Sequence, residues 1–354
     1  MKRLLVKTFS VWLAAWACLL IAPAQAAPVS YQMVTVGNAG NASDSNGFGA
    51  VAYEYQIGKY DVTIGQYTAF LNAADPDGTN PNGIYNAAMG TDLNSAGISY
   101  TAGASAGAKY SVINNGGDSS NRPITYVSWF DAARFANWMT NGQGSGSTET
   151  GAYNLATADP GLAPAKTPGA AFHLPTSAEW YKAAYYSPTL NSGSGGYYAY
   201  ATQSNTAPGN VVGSAANQAN YKVGGVFSVT QLSSYSSTQN YLTDVGAFSG
   251  SGSFYGTFDQ SGNVFQWNDL DGIPGYWRGM RGGFYDIDRP FYLSSSGRED
   301  LGDALTEYSV VGFRLASPVS SSAVPEIDPA GMGSVLAIVS GALCLLERRR
   351  LKAA

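Results

Sequence analysis

Three short helix starts, separated by long glycine-rich stretches, are the feature that most constrains how this chain folds. Thr63, Ser128 and Thr176 each precede an apolar run, and an acid or amide follows each of them three residues later. That spacing predicts a capping box, in which the two side chains satisfy exposed amides of the first helical turn. The intervening stretches are rich in Gly, Ser, Asn, Ala, Tyr and Pro and show little periodicity; they are 72–121, 142–168 and 187–256. We therefore expect an irregular, loop-rich α+β domain.

The alternation and composition of the sequence predict strands and a buried core. Alternating runs at Ala52–Ile57 and Val311–Leu315 are typical of strands. With 45% hydrophobic and 13% aromatic residues the chain can bury a sizeable core. No charged or Pro-rich linker divides 27–318, so we expect one domain there. Four tryptophans lie in or beside ordered segments, and we expect them to build the core rather than bind a ligand: Trp129, Trp138, Trp180 and Trp267.

The first 26 residues have the pattern of a signal peptide. Lys2, Arg3 and Lys7 precede an apolar run, and Ala24 and Ala26 supply the small residues that a signal peptidase needs. We expect cleavage after Ala26 and export of the remaining chain.

The last residues have the pattern of a second targeting signal. A Ser-rich linker at 319–323 leads into Val324-Pro325-Glu326, then an apolar run to Leu346 and a basic tail. The run is long enough to span a bilayer as a helix, with the arginines cytoplasmic. Segment 324–354 resembles the PEP-CTERM sorting signals that exosortases process in Gram-negative bacteria; a permanent membrane anchor is the alternative. The resemblance implies transient anchoring in the inner membrane, then placement at the cell surface or in the extracellular matrix.

Residue counts exclude several kinds of site. The two cysteines are Cys18 and Cys344, near opposite ends, and His173 is the one histidine. A structural zinc site, an iron–sulfur cluster, a Cys–His nucleophile pair and a disulfide framework inside the domain are therefore excluded. Asp and Glu outnumber Lys and Arg by 24 to 19, which disfavours duplex nucleic acid as a partner but is compatible with cations and neutral glycans. We expect a structural role for His173.

Six short blocks occur in order between about Ala52 and Ala316. They are Tyr55-Gln56-Ile57-Gly58-Lys59-Tyr60-Asp61-Val62-Thr63 followed by Gln66-Tyr67, Arg122-Pro123-Ile124-Thr125-Tyr126-Val127-Ser128-Trp129-Phe130-Asp131-Ala132, Leu174-Pro175-Thr176-Ser177-Ala178-Glu179-Trp180, Ser261-Gly262-Asn263-Val264-Phe265-Gln266-Trp267, Arg281-Gly282-Gly283-Phe284 and Gly312-Phe313-Arg314. Together they resemble the signatures of the formylglycine-generating enzyme family, also called sulfatase-modifying factors. The resemblance implies a variant of the C-type-lectin fold.

The family's catalytic chemistry is not expected here. By resemblance, two cysteines that follow the Gly282-Gly283 block would bind copper and activate oxygen. Ile287 and Tyr292 stand at those positions, and neither can offer a soft thiolate to copper(I). No copper is therefore expected, and formylglycine generation is the less favoured alternative.

A calcium site is implied by the same resemblance. Calcium prefers hard oxygen ligands, and an amide stands at 266 where the family has a carboxylate, which lowers the expected affinity. The alternative is that these residues only end strands and turns. The implied ligands are Asp259, Gly262, Val264 and Gln266, with Asn220 as a further candidate.

A ligand groove is implied near the vacated copper positions. Tyr285, Phe291 and Tyr292 are hypothesised to stack on sugars or peptide side chains. Asp286, Asp288 and Arg289 lie in the same stretch. Paired carboxylates in loop 286–300, which also holds Arg298, Glu299 and Asp300, leave a glycan hydrolase as another alternative. The favoured interpretation is an exported, non-catalytic module that binds an extracellular glycan or protein.

Overall fold

The computed structural model describes residues 28–156, 159, 161–297 and 300–319. The predicted signal peptide, most of the Ser-rich linker and the sorting segment 324–354 lie outside these residues, as do Arg298 and Glu299. Within the described part of the chain, no helix is both long and apolar enough to cross a membrane.

All three predicted capping boxes are confirmed. In each, the N-cap side chain accepts from the backbone amide three residues on, and the side chain there accepts from the N-cap amide. At the third box, for example, Glu179 Oε2 accepts from Thr176 N at 2.8 Å. The helices are α1 Ile64–Ala74, α2 Ala88–Thr91, α3 Trp129–Thr140, α4 Ser177–Tyr185 and the single turn α5 Leu190–Gly193.

Short strands form two sheets and two hairpins. One sheet is antiparallel, in the order β1-β2-β11, and joins the two ends of the domain. The other has the order β10-β7-β8-β9, with β10 and β7 parallel. The strands are β1 Met33–Val36, β2 Tyr55–Gly58, β3 Ile98–Tyr100, β4 Tyr110–Val112, β5 Tyr186–Ser187, β6 Gly196–Tyr197, β7 Phe265–Asn268, β8 Trp277–Arg281, β9 Asp300–Asp303, β10 Val311–Phe313 and β11 Ala316–Pro318.

The core is aromatic, as predicted. Trp129, Trp180 and Trp267 are fully buried and Trp138 is 4% exposed. Ring contacts connect α1 to α3 and to β10, including Tyr67 stacked on Phe135 with centroids 6.1 Å apart. Such pairs add stability beyond the area they bury. This packing holds β7, whose residues face the candidate site.

The sequence prediction differs from the structure in several places. The strand predicted at Val311–Leu315 ends at Phe313, and the stretch 187–256, predicted as loop, contains α5 and β6. The strand predicted at Ala52–Ile57 begins only at Tyr55, because Ala52 and Tyr53 lie in a bend. Pairing with β1 extends from Tyr55 to Gly58. The stretch 72–121, predicted as loop, contains α2 and the β3–β4 hairpin. The hairpin was missed because its strands are only three residues long, too short for alternation to be visible.

Candidate functional site

Gln266 is the centre of a buried polar network. It is the second residue of β7 and is fully buried. Its Oε1 accepts from Trp180 Nε1 and from Arg314 Nε, each at 2.7 Å. Its Nε2 donates to the Asp259 carbonyl oxygen at 2.7 Å. Every polar atom of this amide is therefore committed to a protein partner, as a buried amide requires.

Arg314 continues the network to the opposite sheet. Its guanidinium donates to Asp61 Oδ1 at 2.8 Å and to the carbonyl oxygens of Gly58 and Phe258 at 2.9 and 2.7 Å. Both charged groups are fully buried. Burial raises the pKa of Asp61 to about 8, although Arg314 opposes the shift. The ion pair between Arg314 and Asp61 links the segment after β2 to the segment after β10, and both side chains are fully buried.

The other residues implied as calcium ligands also serve the protein itself. Asp259 Oδ2 accepts from Gly246 N at 2.7 Å. Asn220 Nδ2 donates to the Tyr241 carbonyl oxygen and to Asn263 Oδ1 at 2.9 and 3.0 Å. Val264 is fully buried among aromatic side chains.

The bonding of Gln266 does not fit its role in the implied calcium site. An ion at Gln266 would share one oxygen with two N–H donors, one of them on a cationic guanidinium, which calcium repels. Gly262 has a packing role, because a Cβ there would lie 2.3 Å from the Asn220 carbonyl oxygen. Within the described residues, no three His, Cys, Asp or Glu side chains are grouped as metal ligands.

The implied groove is only partly accessible, and the prediction for Tyr285 needs correction. Tyr285 is 6% exposed and lies parallel to Tyr241, with ring centroids 5.8 Å apart. A ring already stacked inside the core has no free face for a ligand. Phe291 is 49% exposed and packs edge-on against the half-buried Tyr292. Asp288, Arg289 and Phe291 are therefore the exposed members of the predicted groove.

The acidic residues of the groove anchor a neighbouring loop. Asp286 Oδ1 lies 2.6 Å from Lys222 Nζ, and Asp288 Oδ2 accepts from Gly225 N at 2.8 Å. The Ile287 carbonyl oxygen accepts from Lys222 N at 3.0 Å. These contacts tie loop 222–225 to 286–288 and give both carboxylates partners, so nothing in this arrangement favours acid–base catalysis.

The profile of the sulfatase-modifying factor enzyme 1-like domain matches residues 34–319, most of the chain. The chain belongs to this family. No curated protein matches it.

Comparison with solved structures finds several that are similar to this chain. Treponema denticola variable protein 1 is 18% identical, with 82% of this chain and 96% of that chain covered and a TM-score of 0.44. CarF is 22% identical, with 82% and 99% covered and a TM-score of 0.43. PvdO from Pseudomonas aeruginosa is 15% identical, with 81% and 94% covered and a TM-score of 0.40.

In this member of the family, hydrocarbon and phenol side chains occupy the positions that the resemblance assigns to the copper cysteines. Ile287 and Tyr292 pack against a buried cluster of Ala219, Tyr221 and Leu293. Tyr292 also contacts Phe265, at the start of β7, with ring centroids 6.2 Å apart. The region is therefore closed by apolar packing and contains no thiol.

His173 lies in the core, consistent with the structural role expected for it. It is 2% exposed, its Nε2 is 3.5 Å from Glu179 Oε2, and its backbone pairs with Ala316. Burial alone raises the pKa of Glu179, but the His173 contact and the Thr176 amide outweigh it and lower the pKa to about 2. Both side chains help to fix the start of α4.

One cluster has no signal in the sequence. The carboxyl group of Asp131, in the first turn of α3, contacts that of Glu307. Asp131 belongs to a capping box and to the second family block, but Glu307 lies in no motif. A separation of more than 170 positions leaves no local signal, so only folding reveals the pair.

The unfolding free energy is expected to fall as pH rises, partly through Asp131. Burial raises the pKa of Asp131 to about 7, against the Ser128 hydrogen bonds and with a further increase from Glu307. The unfolded carboxyl titrates near 4, so the folded chain holds the extra proton between about pH 4 and 7. Stability is lost as pH rises through this window, by at most about 1.4 kcal/mol per pH unit. Urea unfolding across the window measures the slope.

Asp131→Asn is expected to reduce that slope, because it removes the titrating group. The exposed Asp77 offers a matched control, and Asp77→Asn should keep the wild-type slope. Equal slopes in the wild type and Asp131→Asn would contradict the assignment.

Proposed function

We propose that this chain is a non-catalytic member of its family, exported and sorted to the cell surface, where its domain binds extracellular polysaccharide. The observation that carries the proposal is the occupation of both copper positions by Ile287 and Tyr292. Copper-dependent oxidation of a cysteine needs thiolate ligands that this domain lacks.

The ends of the chain support the cellular part of the proposal. The pattern at 1–26 is that of a signal peptide, and 324–354 resembles a surface-sorting signal. Signal peptidase and an exosortase-type enzyme are the processing partners that these patterns imply. An exported module without its family's catalytic ligands retains the capacity to bind.

The accessible face supports the binding part. Phe291 projects from a short 3-10 turn at Pro290–Leu293, beside the exposed Arg289. Its ring is braced edge-on by Tyr292, with centroids 5.9 Å apart and planes at 77°. A rigid, half-exposed aromatic ring suits stacking on a sugar face and loses little side-chain entropy on binding.

Co-sedimentation with exopolysaccharide from the producing cells tests the proposal. The purified full-length protein is expected to bind saturably, and Phe291→Ala is expected to weaken binding about tenfold. The control is Phe254→Ala, because Phe254 is also partly exposed, at 38%, and is not in the groove. Absence of binding, or equal loss in both variants, would count against the proposal.

A second assay addresses the catalytic alternative. We expect no formylglycine when the full-length protein is incubated with copper, oxygen and a cysteine-containing sulfatase peptide, because thiolates are absent from the site. Mass spectrometry of the peptide detects conversion. Turnover above the level of the metal alone would refute the non-catalytic assignment.

A further inference from the structure

A cleft of about 610 Å³ opens at the N-terminal end of α3. Its walls come from four parts of the chain, namely 82–87, the first turns of α3 with the preceding Ser128, the residues Leu155, Asp159 and Gly161, and 305–307. It lies apart from the groove residues, none of which lines it. The volume is that of an ordinary small-ligand site.

The polar side of the cleft is a connected network. The pair Asp131 and Glu307 is flanked by Asn86, whose Nδ2 donates to Glu307 Oε2. Arg134 lies 3.6 Å from Asp131 and binds Glu149 through two nitrogens, at 2.8 and 3.2 Å. These bonds hold the polar groups in fixed positions before any ligand arrives, which reduces the entropy cost of binding.

Aromatic and apolar side chains also line the cleft. Tyr85 and the exposed Leu305 offer such surface, whereas the ring of Phe130, 7% exposed, is largely covered. Tyr85 is held by a ring contact to Tyr110 at 5.0 Å. The cleft therefore combines an immobilised aromatic ring with amides and carboxyl groups.

We propose that this cleft binds a neutral hexose unit of a polysaccharide. A sugar ring has apolar C–H faces and a rim of hydroxyl groups, each a donor and an acceptor, and the lining of the cleft offers partners for both. Asn82 and Asn86 offer amides, and the carboxyl oxygens of Glu307 accept hydroxyl protons. The inference rests on the proposed glycan-binding function and assigns a ligand class and a site to it.

The charge of the cleft selects against anionic ligands. Three carboxyl groups line the cleft, those of Asp131, Asp159 and Glu307, and among the described residues Arg134 is the one cation in the lining. Arg134 is itself engaged by Glu149 and Asp131, so it is not free to bind a carboxylate or phosphate. A sulfated or uronic-acid sugar would meet net repulsion here.

Saturation-transfer NMR on the full-length protein tests the proposal with three probes, the methyl glycosides of glucose, galactose and mannose. Transfer to the ring protons of at least one probe is expected. Glu307→Gln and Asn86→Ala are each expected to weaken its affinity about tenfold, since each removes a positioned hydrogen-bonding group. Asp77→Asn, outside the cleft, should leave affinity unchanged.

Several outcomes would overturn the site. They are no transfer to any of the three probes, unchanged affinity in both cleft variants, or binding of tetralysine in place of the glycosides. Two cleft variants are used so that the test remains valid if one of them fails to fold. If polysaccharide sedimentation is lost in Phe291→Ala but kept in Glu307→Gln, the proposed function stands and the cleft assignment fails. If the glycosides bind but the protein does not sediment with polysaccharide, the cleft assignment stands and the proposed function fails.

Discussion

Replacing Arg314 with methionine is expected to lower the free energy of unfolding by about 3–5 kcal/mol. The substitution leaves the buried Asp61 without its cation and removes donors from the carbonyl oxygens of Gly58 and Phe258. Gln266 Oε1 keeps Trp180 as a donor but loses the guanidinium. Methionine replaces only the hydrocarbon volume of the arginine side chain. The loss of stability therefore comes from buried polar groups that are left without partners. Urea unfolding at about pH 9, above the pKa of about 8 that Asp61 has beside Arg314, measures this loss, because Asp61 is then ionised in the wild type.

The double variant Asp61→Asn/Arg314→Met separates charge from packing. It is expected to be more stable than Arg314→Met alone, because a neutral amide costs less to bury than an unpaired carboxylate. The control Arg289→Met, at an exposed arginine, should change stability by no more than about 0.5 kcal/mol. If Arg314→Met were equally mild, the network would not be a stabilising centre.

Replacing Gln266 with glutamate is expected to lower the free energy of unfolding by about 2–3 kcal/mol. The new carboxylate oxygen would face the Asp259 carbonyl oxygen, which now accepts from Gln266 Nε2 at 2.7 Å. A proton on the new carboxyl would restore a donor, so its folded pKa should be raised. The destabilisation should accordingly grow as pH rises through neutrality.

The same variant tests the calcium prediction. Because the amide of Gln266 is saturated by protein donors and acceptors, added calcium should leave the unfolding midpoint of the wild type unchanged. In Gln266→Glu the midpoint should rise with calcium, since a ligand that binds only the folded state stabilises it. Gln203→Glu, at an exposed glutamine, is the control and should show neither effect. Calcium stabilisation of the wild type would show that the site accepts the ion despite Arg314.

Local features of this protein could be predicted because their causes are local. Each capping box needs only an oxygen side chain and a partner three residues later, and all three helices begin where those residues stand. The burial of Trp129, Trp180 and Trp267 follows from side-chain size and the apolar spacing around them. The order of the family blocks likewise indicated the family now matched over 34–319.

Features that depend on contacts between distant segments could not be predicted. The resemblance places Tyr285 in an accessible groove, yet Tyr241 and Phe227 enclose it. The chemistry of Gln266 is decided by Trp180 and Arg314, which arrive from α4 and from beyond β10.

The sequence by itself determined the helix starts, the aromatic core, the family and the absence of thiols from the domain. These follow from residue identity and short spacing, which folding does not alter. The tertiary structure alone decided which polar groups are already paired and which face a cleft. Asp131 and Glu307 show the reason: a carboxyl group's pKa and partners depend on burial and on neighbours brought from elsewhere in the chain.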